Sequence, residues 1–210
     1  MITCWYTEIK HEWNGQELAD KLALLPENLQ QQALRKRQWI DRQLSIAGKL
    51  LLSKLLQERN SKYSLADLKY NEYHRPYFNG DPDFNIAHSG NIVICCEADN
   101  GQIGIDIEQV NPLDFADFTD FFTSKEWSSI NSYPNKFDGF YDFWTKKEAV
   151  LKAIGSGFHT PLNSVDVSGE NLVYDGISYQ IRSLNIHLDY KCHIAATVFP
   201  QNIQLQEVNF

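Results

Sequence analysis

Residues 91–108 read NIVICCEADNGQIGIDIE, and this stretch decides the fold class. Ile92–Glu97 is β-like. Asp99-Asn100-Gly101 is a strong hairpin signal, so Ile92–Ala98 and Gln102–Glu108 are expected to pair across it. Along the second arm, Ile103, Ile105 and Ile107 point one way and Gly104, Asp106 and Glu108 the other.

Upstream, Phe84–Ala87 is also β-like, and Met1–Ile9 reads as a strand. Between them the period changes. From Asn28 to Arg59, Leu29, Ala33, Ile40, Leu44, Ala47, Leu51 and Leu55 recur at helical spacings, over a length that suits two helices. A short helical or turn segment covers 61–68. Downstream, helical patterning covers 114–131, where Thr123 and Glu126 have capping-box spacing. A second helix covers 138–154 and ends at Gly155, a C′ residue. After the loop GSGFHTPL, strands are expected at Val165–Ser168, Ile177–Ser183, His193–Phe199 and Ile203–Val208. Each half therefore runs strand or loop, helices, then strands. The expectation is an α+β fold of two similar halves, residues 1–104 and 105–210, packed together.

The chain has 210 residues, enough to bury a core without metal or disulfide staples. Its net charge of −8 argues against coating nucleic acid or an anionic membrane by bulk charge. Residues 21–75 go against that balance, with eleven Lys and Arg against five Asp and Glu. A basic region on an acidic chain suits a small polyanionic ligand, although a solvated helix face gives the same count. Cys4, Cys95, Cys96 and Cys192 form no C-x-x-C pair and no zinc pattern. Free thiols in a reducing cytoplasm are the simplest inference. No signal peptide is visible, and Ile92–Cys96 is far too short to span a bilayer.

Three clusters carry chemistry. Asp106 and Glu108 are two residues apart on one strand face, about 6.6 Å along the strand, so both carboxylates can reach one hard cation such as Mg²⁺ or Mn²⁺. Gly104 is expected to leave space beside them for a ligand. In FWTKKEAVLK (143–152), Trp144, Glu148 and Lys152 share one helix stripe. Glu148 is a third carboxylate ligand or a base, and Lys152 one turn on suits a phosphate. In NIAHSG (85–90), His88 and Ser89 offer donors. Each cluster has an ordinary alternative: a solvated acidic strand face, an i,i+4 salt bridge, a structural histidine. No G-x-S-x-G, H-E-x-x-H, P-loop or G-x-G-x-x-G motif occurs.

Together, NIAHSG, GIDIE (104–108) and WTKKEAVLK (144–152) resemble, in order and spacing, the 4'-phosphopantetheinyl transferases of the larger, single-chain, surfactin-synthetase-activating type. The resemblance implies two similar α+β halves arranged as a pseudo-dimer, with the active site in the cleft between them. It implies Mg²⁺-dependent transfer of phosphopantetheine from coenzyme A to a serine of an acyl or peptidyl carrier protein, with release of adenosine 3',5'-bisphosphate. It assigns Asp106, Glu108 and Glu148 to the metal, Glu148 and Lys152 to catalysis, and Arg75, His88, Ser89 and Lys152 to the cofactor. A cytoplasmic monomer is expected. Relatives carry two lysines after a Pro-Glu pair for the 3'-phosphate. Here Asn28 and Gln31 follow Pro26-Glu27, leaving Arg35, Arg37 or Arg42 to substitute. Phe115, Phe118, Phe121 and Phe122 are candidates for carrier docking, or else a buried helix face. A metal-dependent phosphodiesterase using the same carboxylates and a non-catalytic coenzyme A-binding module are the alternatives.

Overall fold

A computed structural model describes residues 1–80, 82–157 and 160–210. The chain is α+β, built around two four-stranded sheets. The first has the order β10-β1-β5-β4, from β1 (Ile2–Glu8), β4 (Asp83–Ser89), β5 (Ile92–Ala98) and β10 (Ile203–Glu207). The second has the order β6-β9-β8-β7, from β6 (Ile103–Gln109), β7 (Asn171–Tyr174), β8 (Ile177–Ser183) and β9 (Tyr190–Ala196). Two short strands, β2 (Lys69–Tyr70) and β3 (Pro76–Tyr77), pair by themselves.

Alternation along the strands stacks the layers. Ile103, Ile105 and Ile107 of β6, with Cys192 and Ile194 of β9, pack against Ile2, Cys4, Ile92 and Ile94 of the first sheet. The opposite face of that sheet, with Trp5, Val93 and Cys95, is covered by the leucine stripe of α3 (Trp39–Glu58). Helices α1 (Gly15–Ala23) and α2 (Glu27–Leu34) lie on the same side. The opposite face of the second sheet is covered by α5 (Lys136–Ile154) and, beyond it, α4 (Ser124–Ser132). No helix among the described residues is long and apolar enough to cross a membrane.

Most predicted elements are present, and the Thr123/Glu126 capping box opens α4. Gly155 closes α5 at φ +78°, in the left-handed region that favours glycine. Four expectations fail. The Asp99–Gly101 turn does not make a hairpin: β5 has β1 on one edge and β4 on the other, and β6 pairs with β9 in the second sheet. Residues 165–168 form no strand; their neighbours instead form β7, and α1 arises where no helix was expected. Cys4 and Cys96 are not free thiols but a disulfide, because β1–β5 register places them opposite each other with Cα atoms 4.1 Å apart. Cys95 and Cys192 remain free and buried. Part of the loop GSGFHTPL lies outside the described residues.

Candidate active site

The site forms where α5 lies on β6. A Cβ on Gly104 would come within 2.1 Å of the Ala149 carbonyl oxygen and 2.3 Å of the Ala153 nitrogen. The space beside Gly104 is therefore filled by helix backbone, not open to a ligand as its position in the strand suggested. That close approach brings the next residues on this face, Asp106 and Glu108, against the Glu148/Lys152 stripe of α5.

Lys152 Nζ lies 2.5 Å from Asp106 Oδ1. The other Asp106 oxygen, Oδ2, is buried and has no hydrogen-bond partner. Burial opposes the Lys152 charge, but Asp106, then Glu148 and Glu108, outweigh it and hold the ammonium pKa above its ordinary value. The carboxylates show the reverse. Burial raises the Asp106 pKa despite Lys152. Burial and then the charge of Asp106 raise Glu148, and the same two causes push Glu108 up to about 7. Three carboxyl groups thus share one ammonium, and each is harder to ionise for being near the others.

The third motif reaches the site from the first sheet. Ser89, at the end of β4, donates its hydroxyl to Glu108 Oε2 at 2.6 Å and accepts the Gln109 N–H at 3.1 Å. His88 beside it is exposed on its strand; desolvation and then the Lys152 charge lower its pKa. Arg75 donates to Asp83 Oδ2 at 2.7 Å and to the Ile103 carbonyl at 2.8 Å, while its Nε has no partner. Arg75, His74, Pro76, Glu148, Lys152 and Gly155 line a cavity of about 230 Å³.

The structure thus brings together Asp106, Glu108, Glu148, Lys152, Ser89 and Arg75. It does not gather the carboxylates into a finished ligand shell: among the described residues, no three His, Cys, Asp or Glu side chains are placed to hold one ion. The donor chemistry nevertheless fits a hard divalent cation. A buried carboxylate oxygen lacks a partner, and two more carboxyl groups beside it are held towards neutrality for want of positive charge. Of the arginines considered for the 3'-phosphate, Arg42 turns its Nη2 to the Lys36 carbonyl, while Arg35 and Arg37 are exposed. Phe122 is buried, and Phe115, Phe118 and Phe121 pack half-buried on Phe140, Trp127 and Trp144. The helix-face alternative therefore describes these rings.

Two further polar features were missed. Lys147, next to Glu148, is fully buried against Glu126 at 2.9 Å and also donates to the carbonyls of Leu162 and Val165. Only the identical Lys-Lys pair stood in the sequence, and nothing local separates a buried lysine from an exposed one. His193 lies opposite Asp106 in the β6–β9 register, with Nδ1 2.8 Å from Thr145 Oγ1. That neighbour is 48 positions away and no motif marks it.

The site is thus an acidic pocket at a strand–helix contact, with a lysine and an arginine on one cavity. Residues 102–198 match the 4'-phosphopantetheinyl transferase superfamily. The chain is similar to the 4'-phosphopantetheinyl transferase gsp of Aneurinibacillus migulanus, 36% identical over 123 residues that cover 57% of this chain and 52% of that protein. It is also similar to the 4'-phosphopantetheinyl transferase Sfp of Bacillus subtilis (strain 168), 33% identical over 60% of this chain and 58% of that protein. The L-aminoadipate-semialdehyde dehydrogenase-phosphopantetheinyl transferase of Schizosaccharomyces pombe is 33% identical over 61% of this chain and 62% of its own length. The chain thus spans between half and two thirds of these relatives. The family resemblance read from the three motifs is borne out by these matches.

Proposed function

We propose that this protein transfers the 4'-phosphopantetheine group of coenzyme A to a serine hydroxyl of an acyl or peptidyl carrier protein, with Mg²⁺, releasing adenosine 3',5'-bisphosphate. The observation that carries this reading is the buried Asp106 oxygen without a partner, between Lys152 and the two raised carboxyl groups Glu108 and Glu148. A diphosphate ester has the complementary needs: cations at its oxygens and a base for the incoming hydroxyl.

Asp106, Glu108 and Glu148 are the residues that would hold the ion. When bound, it supplies a Lewis-acid charge to the diphosphate oxygens. Lys152 supplies a second positive charge against the α-phosphate, on whose oxygen charge develops as the serine attacks the β-phosphorus. Its present partner, Asp106, keeps the ammonium charged and aimed into the pocket. Glu148, on the same helix face, takes the serine proton as general base. Arg75 faces the same cavity and is the anchor for the phosphoadenosine end, with His88 towards the phosphates. The two sheet-and-helix units are read as the two similar halves of a pseudo-dimer within one chain, acting as a monomer.

The test is incubation with coenzyme A, Mg²⁺ and several apo carrier proteins, followed by mass spectrometry of the carriers. Gain of one phosphopantetheine mass is expected. Glu148→Gln and Asp106→Ala are each expected to abolish it while the chain stays folded. No mass gain on any carrier, or full rate in either variant, overturns the reading.

A further inference from the structure

Strand β6 is an edge strand of the second sheet, so alternate backbone N–H groups point away from β9 and need acceptors. Three of them are met by side chains of β4 in the first sheet. Ile103 N–H donates to Asp83 Oδ2 at 2.9 Å, Ile105 N–H to Asn85 Oδ1 at 3.0 Å, and Gln109 N–H to Ser89 Oγ at 3.1 Å. All three pairs share one sequence offset of 20 residues, the signature of two strands locked in a single register. Residue 87, the remaining member of that row, is an alanine and offers no acceptor to Ile107.

Ser89 differs from the other rungs because it also gives. A serine hydroxyl has one proton and two lone pairs. Here the proton goes to Glu108 Oε2 at 2.6 Å, a length typical of a hydroxyl donating to a carboxylate, and one lone pair takes the Gln109 N–H. No proton is left for a phosphate oxygen.

We propose that Ser89 is a positioning residue for Glu108, fixing the carboxylate that would hold the divalent ion, and is not a contact to the coenzyme A phosphates. The inference rests on the metal assignment under the proposed function. Its logic is that of an outer-shell partner: the register sets Ser89, Ser89 sets Glu108, and the carboxylate is presented to the ion already oriented.

Calorimetric titration with Mn²⁺ alone, and separately with coenzyme A in a chelator, tests it without any turnover. Ser89→Ala is expected to weaken Mn²⁺ binding about tenfold, the order seen for outer-shell partners, and to leave coenzyme A binding within about twofold. Ser89→Thr, which keeps the hydroxyl, is expected to bind Mn²⁺ like the parent, and it guards against a Ser89→Ala chain that does not fold. In a Glu108→Gln background, Ser89→Ala should weaken Mn²⁺ no further. Loss of coenzyme A affinity with Mn²⁺ binding intact overturns the proposal, as does an equal Mn²⁺ loss in the Glu108→Gln background, or a parent chain that binds no Mn²⁺. Carrier loading is read separately. Its absence alongside the expected Mn²⁺ pattern fails the transferase reading and leaves the role of Ser89 standing.

Discussion

Replacing Glu108 with glutamine should make the metal-free protein more stable, by an amount that depends on pH. Glu108 ionises at about 7 in the fold, against an ordinary value of 4.5, because burial and then the charge of Asp106 oppose the carboxylate. At about 1.36 kcal/mol for each pH unit between those values, ionising it in the native state costs roughly 3 kcal/mol. The side chain is partly exposed, so solvent screening leaves about 2 kcal/mol. The sign follows from the raised value. Below pH 4.5 the group is protonated in both states and takes nothing from stability. As pH rises from 4.5 through 7 the unfolded chain ionises first, and stability falls until both states are charged. Glutamine keeps the size and can still accept the Ser89 hydroxyl, but it never ionises.

At pH 8 without divalent cations, Glu108→Gln should therefore gain about 2 kcal/mol, a rise of about 4–8 °C in Tm for a chain of this size. At pH 5 only about a quarter of that gain should remain. Urea or thermal denaturation of both chains at the two pH values reads it. Equal or lower stability of Glu108→Gln at pH 8, or the same gain at both pH values, refutes the reasoning, because the carboxylate would then not be held against its charge in the fold.

Gly104→Ala should lower stability by about 3 kcal/mol, the upper range for overpacking, since both clashing atoms are backbone and cannot rotate away; a denaturation midpoint equal to the parent's refutes it. Lys147→Met should cost about 3–5 kcal/mol by stranding the charge of Glu126, and adding Glu126→Gln should recover much of that loss. A double-mutant cycle on urea midpoints checks this, and full additivity counts against it. Burial holds the His193 imidazole down at about 4, so its contribution to stability is intact above 6.5 and is lost as pH falls towards 4, by about 3 kcal/mol in full. His193→Gln should flatten that acid limb. The measurement belongs in the Glu108→Gln chain, where the opposite titration of Glu108 is gone, and an unchanged limb refutes the assignment.

How much of this was legible in the sequence depended on whether the cause was local. The helices over 28–59 and 138–154, the capping box at Thr123 and the glycine at 155 are written within a few residues of themselves, and they appear as read. The isoleucine alternation of β6 correctly put Asp106 and Glu108 on one face. The Asp-Asn-Gly turn misled because a turn signal fixes how the chain reverses, not which strand lies alongside afterwards. Both edges of β5 were already filled, one by β1 from the far end of the chain. The same limit explains Gly104. A strand glycine announces a close approach, but whether a ligand or helix backbone makes it is decided by α5, some 45 residues on. Ser89 was visible as a donor next to a histidine, yet its partner depended on a register between sheets that no local pattern carries.

These features meet in one balance of charge. Packing α5 backbone onto Gly104 buries Asp106 and brings three carboxyl groups and one ammonium into one pocket, an arrangement that like charges alone would open. It is held from both sides. The Asp83, Asn85 and Ser89 rungs anchor β6, and the Lys147–Glu126 pair ties α5 to the 162–167 segment. Burial raises the pKa of Asp106, Glu108 and Glu148 together, and the repulsion left over raises Glu108 and Glu148 further. A bound cation would relieve that repulsion directly, so its affinity should rise as pH climbs through 7 and Glu108 gives up its proton. Fully ionised, the three carboxylates and one ammonium leave the pocket two positive charges short, about the amount that a divalent ion would bring.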